Sequence, residues 1–172
     1  NIIEPEITTS YLPDFQHLVS SCTTSLGADS NEKKHNILTA AKKINGYILN
    51  PGSIFSFNSI VGDVTAAEGY KDAPVIQNNK FVPGVGGGIC QLATNLYLTA
   101  LHADLEIVER HNHSRPVSYV PMGLDATVAT GVLDLKFKNN FHHPLIITVS
   151  VDMDSLHTSI YGPQLEKKET SL

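Results

Sequence analysis

Cys90 directly follows three glycines and a single isoleucine, in Gly86-Gly87-Gly88-Ile89-Cys90-Gln91. Downstream come two histidines, in Glu109-Arg110-His111-Asn112-His113-Ser114-Arg115, and then a carboxylate, Asp125. A thiolate attacks carbonyl carbon, an imidazole moves the proton, and a carboxylate orients the imidazole, so these residue types suit nucleophilic acyl chemistry. His113, or failing that His111, is the expected base, with Asp125 as its orienting group. Backbone N–H groups from Gly88 to Gln91 are placed to hold a developing oxyanion. Arg115 is suited to a substrate carboxylate.

Other readings of the same residues stand beside this one. Cys90 also fits a small buried cysteine under a tight turn, the histidines fit plain polar positions, and Asp125 fits a turn cap. Cys90, His111 and His113 together reach the ligand count of a zinc site, but nothing else at ligand spacing supports a metal, and no cofactor is expected. His142 and His143 precede Pro144 and read as exposed loop residues.

The element that must carry Cys90 is a helix. Ile89, Leu92, Ala93, Leu96, Tyr97, Ala100 and Leu101 repeat at i, i+3, i+4 and i+7, the stripe of a helix buried along one face. Glycines are costly inside a helix, so the three form the turn that feeds it. Cys90 then falls in the first turn, where free N–H groups and the helix dipole favour the thiolate. An earlier helix is expected over Glu32–Ile44, with Asp29 or Asn31 as cap, an inner face of Ile37, Leu38, Ala41 and Ile44, and Gly46 as left-handed stop. Asn50-Pro51-Gly52 turns into a short strand at Ile54–Phe57. A hairpin spans Pro74–Val82 with Asn78-Asn79 at its tip, and Pro83-Gly84 breaks toward the glycine turn. Strands are expected at Val19–Thr24, Glu106–Arg110, Pro116–Val120, Ala126–Ala129, Val132–Lys138, Leu145–Val151 and Leu156–Tyr161. The two histidines would share one face of a strand if the period of two extends to them. The fold class is therefore α+β, the central helix packed on a largely antiparallel sheet, with a β-rich C-terminal half.

A chain of 172 residues suits one domain. Its formal net charge of -5 argues against binding nucleic acid through its phosphates. No apolar run reaches the length of a membrane span. Asn1–Pro5 shows no basic region followed by an apolar one, and the chain does not begin with Met, so no export signal is read from it. Two cysteines, Cys22 and Cys90, are too few for a disulfide framework, although a bridge between them would block the thiol chemistry.

Asn50-Pro51-Gly52-Ser53-Ile54-Phe55-Ser56-Phe57-Asn58, Gly62, Ala66–Tyr70 and Pro74-Val75-Ile76 resemble the VanW domain family. So do Val82–Gln91, Leu105–His113, Ser114-Arg115-Pro116-Val117-Ser118-Tyr119-Val120-Pro121, Asp125–Val128 and Asp134–Asn140. The resemblance covers residues 20–162, with 1–19 as an extended lead-in and 163–172 as a linker or tail. It departs at Cys22, where another residue is expected, and at Leu124, where an arginine is common. The resemblance implies a surface protein of Gram-positive bacteria, extracytoplasmic, with wall-binding or G5 modules flanking the domain in the full-length protein. It also implies peptidoglycan stem peptides as partner, since some members are linked to L,D-transpeptidase activity through a cysteine.

The reading that combines residues and resemblance is a cysteine-dependent L,D-transpeptidase forming 3-3 cross-links through a thioester. Cys90, His113, His111 and Asp125 would be catalytic; Gly87, Gly88, Gln91, Ser114, Arg115 and Tyr119 would hold substrate. A non-catalytic peptidoglycan- or glycopeptide-binding module, and a cysteine hydrolase of stem peptides, are the alternatives.

Overall fold

The computed structural model describes residues 15–163. The segments 1–14 and 164–172, which hold most of the expected lead-in and tail, lie outside it. In chain order the elements are β1 (His17–Ser25), α1 (Asn31–Ile44), β2 (Tyr47–Leu49), β3 (Ile54–Ser56) and α2 (Phe57–Val61). The hairpin β4 (Asp72–Gln77) and β5 (Lys80–Val85) comes next, then α3 (Ile89–His102), β6 (Glu106–Glu109), β7 (Lys136–Lys138), β8 (Leu145–Val151) and β9 (Ser155–Gly162). The α+β class with antiparallel sheets is as the residue pattern implies.

β9 alternates half-buried and buried positions along its whole length, with Leu156, Thr158 and Ile160 turned inward. It forms the centre of an antiparallel sheet of order β1-β9-β8-β2, so the first and last described strands are neighbours. Both long helices pack on this sheet, α3 against β1 and β9, and α1 against β8. Three-stranded β3-β7-β6 forms a second sheet, in which Phe55 and Phe137 stack at 4.5 Å, and β4-β5 stands as a separate ribbon.

α3 is buried on more than its apolar stripe. Gln91, Thr94, Asn95 and Thr99 are all within 1% exposure, whereas Leu101, expected inside, is 39% exposed. Polar side chains are tolerated there because each makes hydrogen bonds, with Gln91 Oε1 the one atom of the four left without a partner among the described residues. Thr99 Oγ1 meets Thr158 Oγ1 at 2.6 Å, Asn95 Nδ2 donates to Leu156 O at 2.9 Å, and Asn95 Oδ1 accepts from Thr24 Oγ1 at 2.8 Å. This polar seam fixes the helix against β1 and β9.

Several local expectations are corrected. Ser30, not Asp29 or Asn31, caps α1, its hydroxyl accepting from Lys33 N. Leu38 faces solvent and Ala40 takes its place in the core. Phe57 opens α2, and Pro83-Gly84 lies within β5. Residues 116–120 and 126–129 are not strands, apart from one bridge between Ala129 and Leu133, and only Lys136–Lys138 of the long alternating run pairs in a ladder. The cause is visible at Asp134, which reads as an outward residue but is buried. Its carboxylate accepts from Asn58 N and Ser56 Oγ at the start of α2, holding the chain out of strand register.

Candidate active site

The glycine turn is shaped by what surrounds it. A Cβ on Gly87 would lie 2.5 Å from the carbonyl oxygen of Ala73 in β4, so only glycine lets the turn nest there. Gly88, the N-cap of α3, has φ +110°, a left-handed value unfavourable to other residues. Asn36 of α1, fully buried, pins the turn by donating Nδ2 to Gly87 O at 3.0 Å and to Lys71 O at 2.8 Å. Ile89 N–H and Gln91 N–H are already bonded to Gly86 O and Gly88 O. The N–H groups of Gly88 and Cys90 find no acceptor among the described residues, which narrows the expected oxyanion donors to these two.

Cys90, the second residue of α3, is half-buried, its Sγ 3.5 Å from Thr127 Oγ1 and 3.6 Å from Val128 O. Both cysteines are free, with Cys22 in β1 opposite Thr158. His113 and Asp125 come together beside the thiol. His113 Nδ1 and the His113 backbone N–H both meet Asp125 Oδ2, at 2.6 Å and 2.7 Å. With Nδ1 taken, Nε2 is the nitrogen left for Cys90. Arg110 steadies the far side, Nε donating to Asp125 O at 2.7 Å and Nη2 to Gly123 O at 2.9 Å, with Nη2 3.5 Å from Asp125 Oδ1.

The electrostatics follow this arrangement. Burial alone would push the Cys90 thiol up, but the hydrogen bond with His113, the Val128 backbone, the Thr127 hydroxyl and the His113 charge bring it below its ordinary 9.0. Burial would lower His113, yet Cys90 and Asp125 together raise it above 6.5. Asp125 is held below 3.8 against the effect of burial, chiefly by the two bonds from His113. Each shift has the direction that favours a thiolate–imidazolium pair.

The thiol opens into a cavity of about 660 Å³ between α1, the β4-β5 hairpin, the glycine turn and the segment from 113 to 133. Gly87, Gly88, Gln91 and Tyr119 line it. Gln91 is 1% exposed and its Nε2 donates to Thr24 Oγ1 and Ser25 O, so its amide ties α3 to β1. Burial, and then the nearby Cys90 charge, push the Tyr119 hydroxyl far up, which keeps it a neutral donor.

Ser114 and Arg115 fall outside the cavity lining. Ser114 is exposed, and Arg115 lies over the Phe81 ring at 4.7 Å with Nη1 donating to Asn79 O. The two histidines do not share a strand face, because β6 ends at Glu109. His111 turns away to Glu109 Oε1 at 3.0 Å. Among the described residues no three His, Cys, Asp or Glu side chains gather as metal ligands. Near Pro144, His142 is exposed but His143 is half-buried, its ring 5.2 Å from that of Phe141.

Sequence reasoning missed Thr127, Val128, Arg110, Asp29 and Lys33. Arg110 adjoins His111 and could have been weighed; the others reach the site only through tertiary folding.

The family model described as "VanW like protein" matches residues 32–161. The "Uncharacterized protein YoaR" of Bacillus subtilis (strain 168) is 39% identical over 139 residues, 81% of this chain and 46% of that protein. The "Vancomycin B-type resistance protein VanW" of Enterococcus faecalis (strain ATCC 700802 / V583) is 33% identical over 135 residues, 76% of this chain and 49% of that protein. The chain thus spans about half the length of these curated relatives. No solved structure matches it. No helix among the described residues is long and apolar enough to cross a membrane.

Proposed function

The chain belongs to the VanW family, and from that premise we propose that it is a cysteine-dependent acyl transferase, an L,D-transpeptidase of peptidoglycan stem peptides outside the cytoplasmic membrane. The observation that carries this reading is Cys90 at the start of α3, beside a histidine whose Nδ1 is bound to a buried carboxylate, facing a cavity. The Enterococcus relative is named for vancomycin resistance, which supports a setting at the cell wall.

The Cys90 thiolate attacks the carbonyl carbon before the terminal D-amino acid of a tetrapeptide stem, and the Gly88 and Cys90 N–H groups receive the oxyanion. On collapse the C–N bond breaks, and the His113 imidazolium gives its proton to the leaving amine. The product is a thioester between Cys90 and the L-centre carbonyl of the third residue. The side-chain amine of a third residue in a neighbouring stem then attacks, passes its proton to His113 and expels the thiolate, which forms the 3-3 cross-link. Asp125 balances the imidazolium in both halves.

Intact-protein mass spectrometry with purified disaccharide-tetrapeptide under reducing conditions tests this. A thioester adduct on Cys90, absent from Cys90→Ala, with dimeric product in the same mixture, is the expected result. Shortened monomer alone assigns hydrolysis instead. Binding of the muropeptide to both proteins without adduct or product overturns catalysis in favour of a binding module.

A further inference from the structure

Lys33 is the sole lysine or arginine, and Asp29 the sole carboxylate, among the residues lining the cavity. Lys33 Nζ is 2.8 Å from Asp29 Oδ2 and 5.6 Å from the centre of the Tyr119 ring. The lysine stem runs directly past the glycine turn, since a Cβ on Gly88 would lie 2.6 Å from Lys33 Cγ. The stem thus passes the N-cap of α3, two residues before Cys90 in the chain, and the ammonium beyond it is held between Asp29 and the Tyr119 ring. Val64, Val75, Ile76, Phe81 and Val117 make the surrounding wall apolar.

An anion entering such a wall needs a cation to meet it, because an unpaired charge is expelled from apolar surroundings. An ammonium carries three donors and Asp29 occupies one. The side chain keeps 17% exposure, enough to be reached from the cavity. Arg115, the cation that the chain order suggests for this task, does not line the cavity: its Nη1 donates to Asn79 O and its guanidinium lies over the Phe81 ring.

We propose that Lys33 binds the free carboxylate of the residue on the leaving side of the scissile bond, with Asp29 holding the ammonium in place. The inference rests on the acyl-transfer reading and adds its specificity. A stem ending in a free carboxylate one residue beyond the attacked carbonyl presents an anion to Lys33. A chain that continues, or ends in an amide, presents a neutral group there. Attack is thereby restricted to the last peptide bond. The acceptor amine enters on the same side of the carbonyl, so a carboxylate on its carbon meets the same lysine.

The test is calorimetric binding of two ligands to the Cys90→Ala protein, which cannot turn them over: disaccharide-tetrapeptide with a free C-terminus, and the same compound as its C-terminal amide. The free acid is expected to bind about tenfold tighter, the scale of one hydrogen bond to a charged group. Lys33→Met on that background removes the preference, and Lys33→Arg, which retains the charge, keeps part of it. Equal binding of acid and amide, no binding of either, or a preference that survives both Lys33→Met and Lys33→Gln overturns the assignment. Thioester formation on intact Cys90 is read separately. A Lys33-dependent preference without any thioester leaves the carboxylate site standing and removes the transfer reading.

Discussion

Asp125 holds His113 by two bonds to one oxygen: the ring Nδ1 at 2.6 Å and the backbone N–H at 2.7 Å both meet Oδ2. The double attachment fixes the ring's rotation as well as its tautomer, and only 7% of the His113 side chain is exposed. Asp125→Asn keeps an oxygen for the backbone N–H but removes the charge that balances the imidazolium. Stem-peptide acylation is expected to fall by about 10²–10⁴-fold, the range associated with a lost acid–base partner. The folded state should persist. Single-turnover kinetics with circular dichroism on the same samples separate these effects.

The two cysteines should titrate in opposite senses. Cys22 is raised above 9.0 by burial, which outweighs the Thr23 backbone bond, whereas Cys90 lies below 9.0 despite burial. Alkylation by iodoacetamide, followed residue by residue by mass spectrometry, should therefore rise with pH first at Cys90 and last at Cys22. His113→Gln removes the imidazolium and leaves burial in control, so the Cys90 transition moves up in pH. A Cys90 profile unchanged by that substitution would show that His113 does not stabilise the thiolate.

Much of this site was legible in the order of residues, for reasons that also explain what was not. The stripe from Ile89 to Ala100 and the glycines before it place Cys90 in a first helical turn without reference to any other segment. β9 was readable because its alternation is local, and β8 because Leu145–Val151 is a short apolar, β-branched run that follows a turn. The loop from Arg110 to Asp134 resisted, since side chains rather than a ladder hold it: Arg110 on Asp125 O and Gly123 O, Thr94 Oγ1 on Ala126 N, and Asp134 on α2. Apolar residues in such a loop mimic strands. Asp29 reads only as a candidate helix cap and Lys33 carries no local signal, because their meeting at the cavity depends on how α1 crosses the glycine turn.

Glu109 offers a test of how the loop after β6 is held. Its carboxylate accepts from Lys136 Nζ at 2.8 Å, from His111 Nε2 and from Asp134 N, and these bonds lower it from 4.5 to about 2. A carboxylate depressed in the folded state contributes stability that is fully present above its unfolded value and is lost as pH falls through the folded one. Glu109→Gln should lower Tm at pH 7. Its deficit relative to the parent protein should shrink steadily between pH 4.5 and about 2. Thermal melts across that window check the sign, and a deficit independent of pH would remove the charge from the explanation.

Gly87 and Asn36 test whether the turn before Cys90 is built by packing. Alanine at Gly87 would set its Cβ 2.5 Å from Ala73 O and 2.7 Å from Pro74 O, and backbone cannot swing aside as a side-chain tip can. Overpacking of this kind costs about 1–3 kcal/mol. Alanine at Gly27, whose nearest neighbour would be Ser25 Oγ at 3.4 Å, is the control expected to change little. Asn36→Ala acts on the same turn from the other side, leaving Lys71 N–H and Gly87 O without their side-chain partner while Lys71 O keeps Gly86 N–H, at about 1–3 kcal/mol for each buried group left unpaired. Urea unfolding ranks the three variants. Both Gly87→Ala and Asn36→Ala should also slow Cys90 alkylation at pH 7, because each moves the N-cap of α3 relative to His113. Loss of stability with unaltered thiol reactivity would mean that the turn supports the fold without setting the position of the nucleophile.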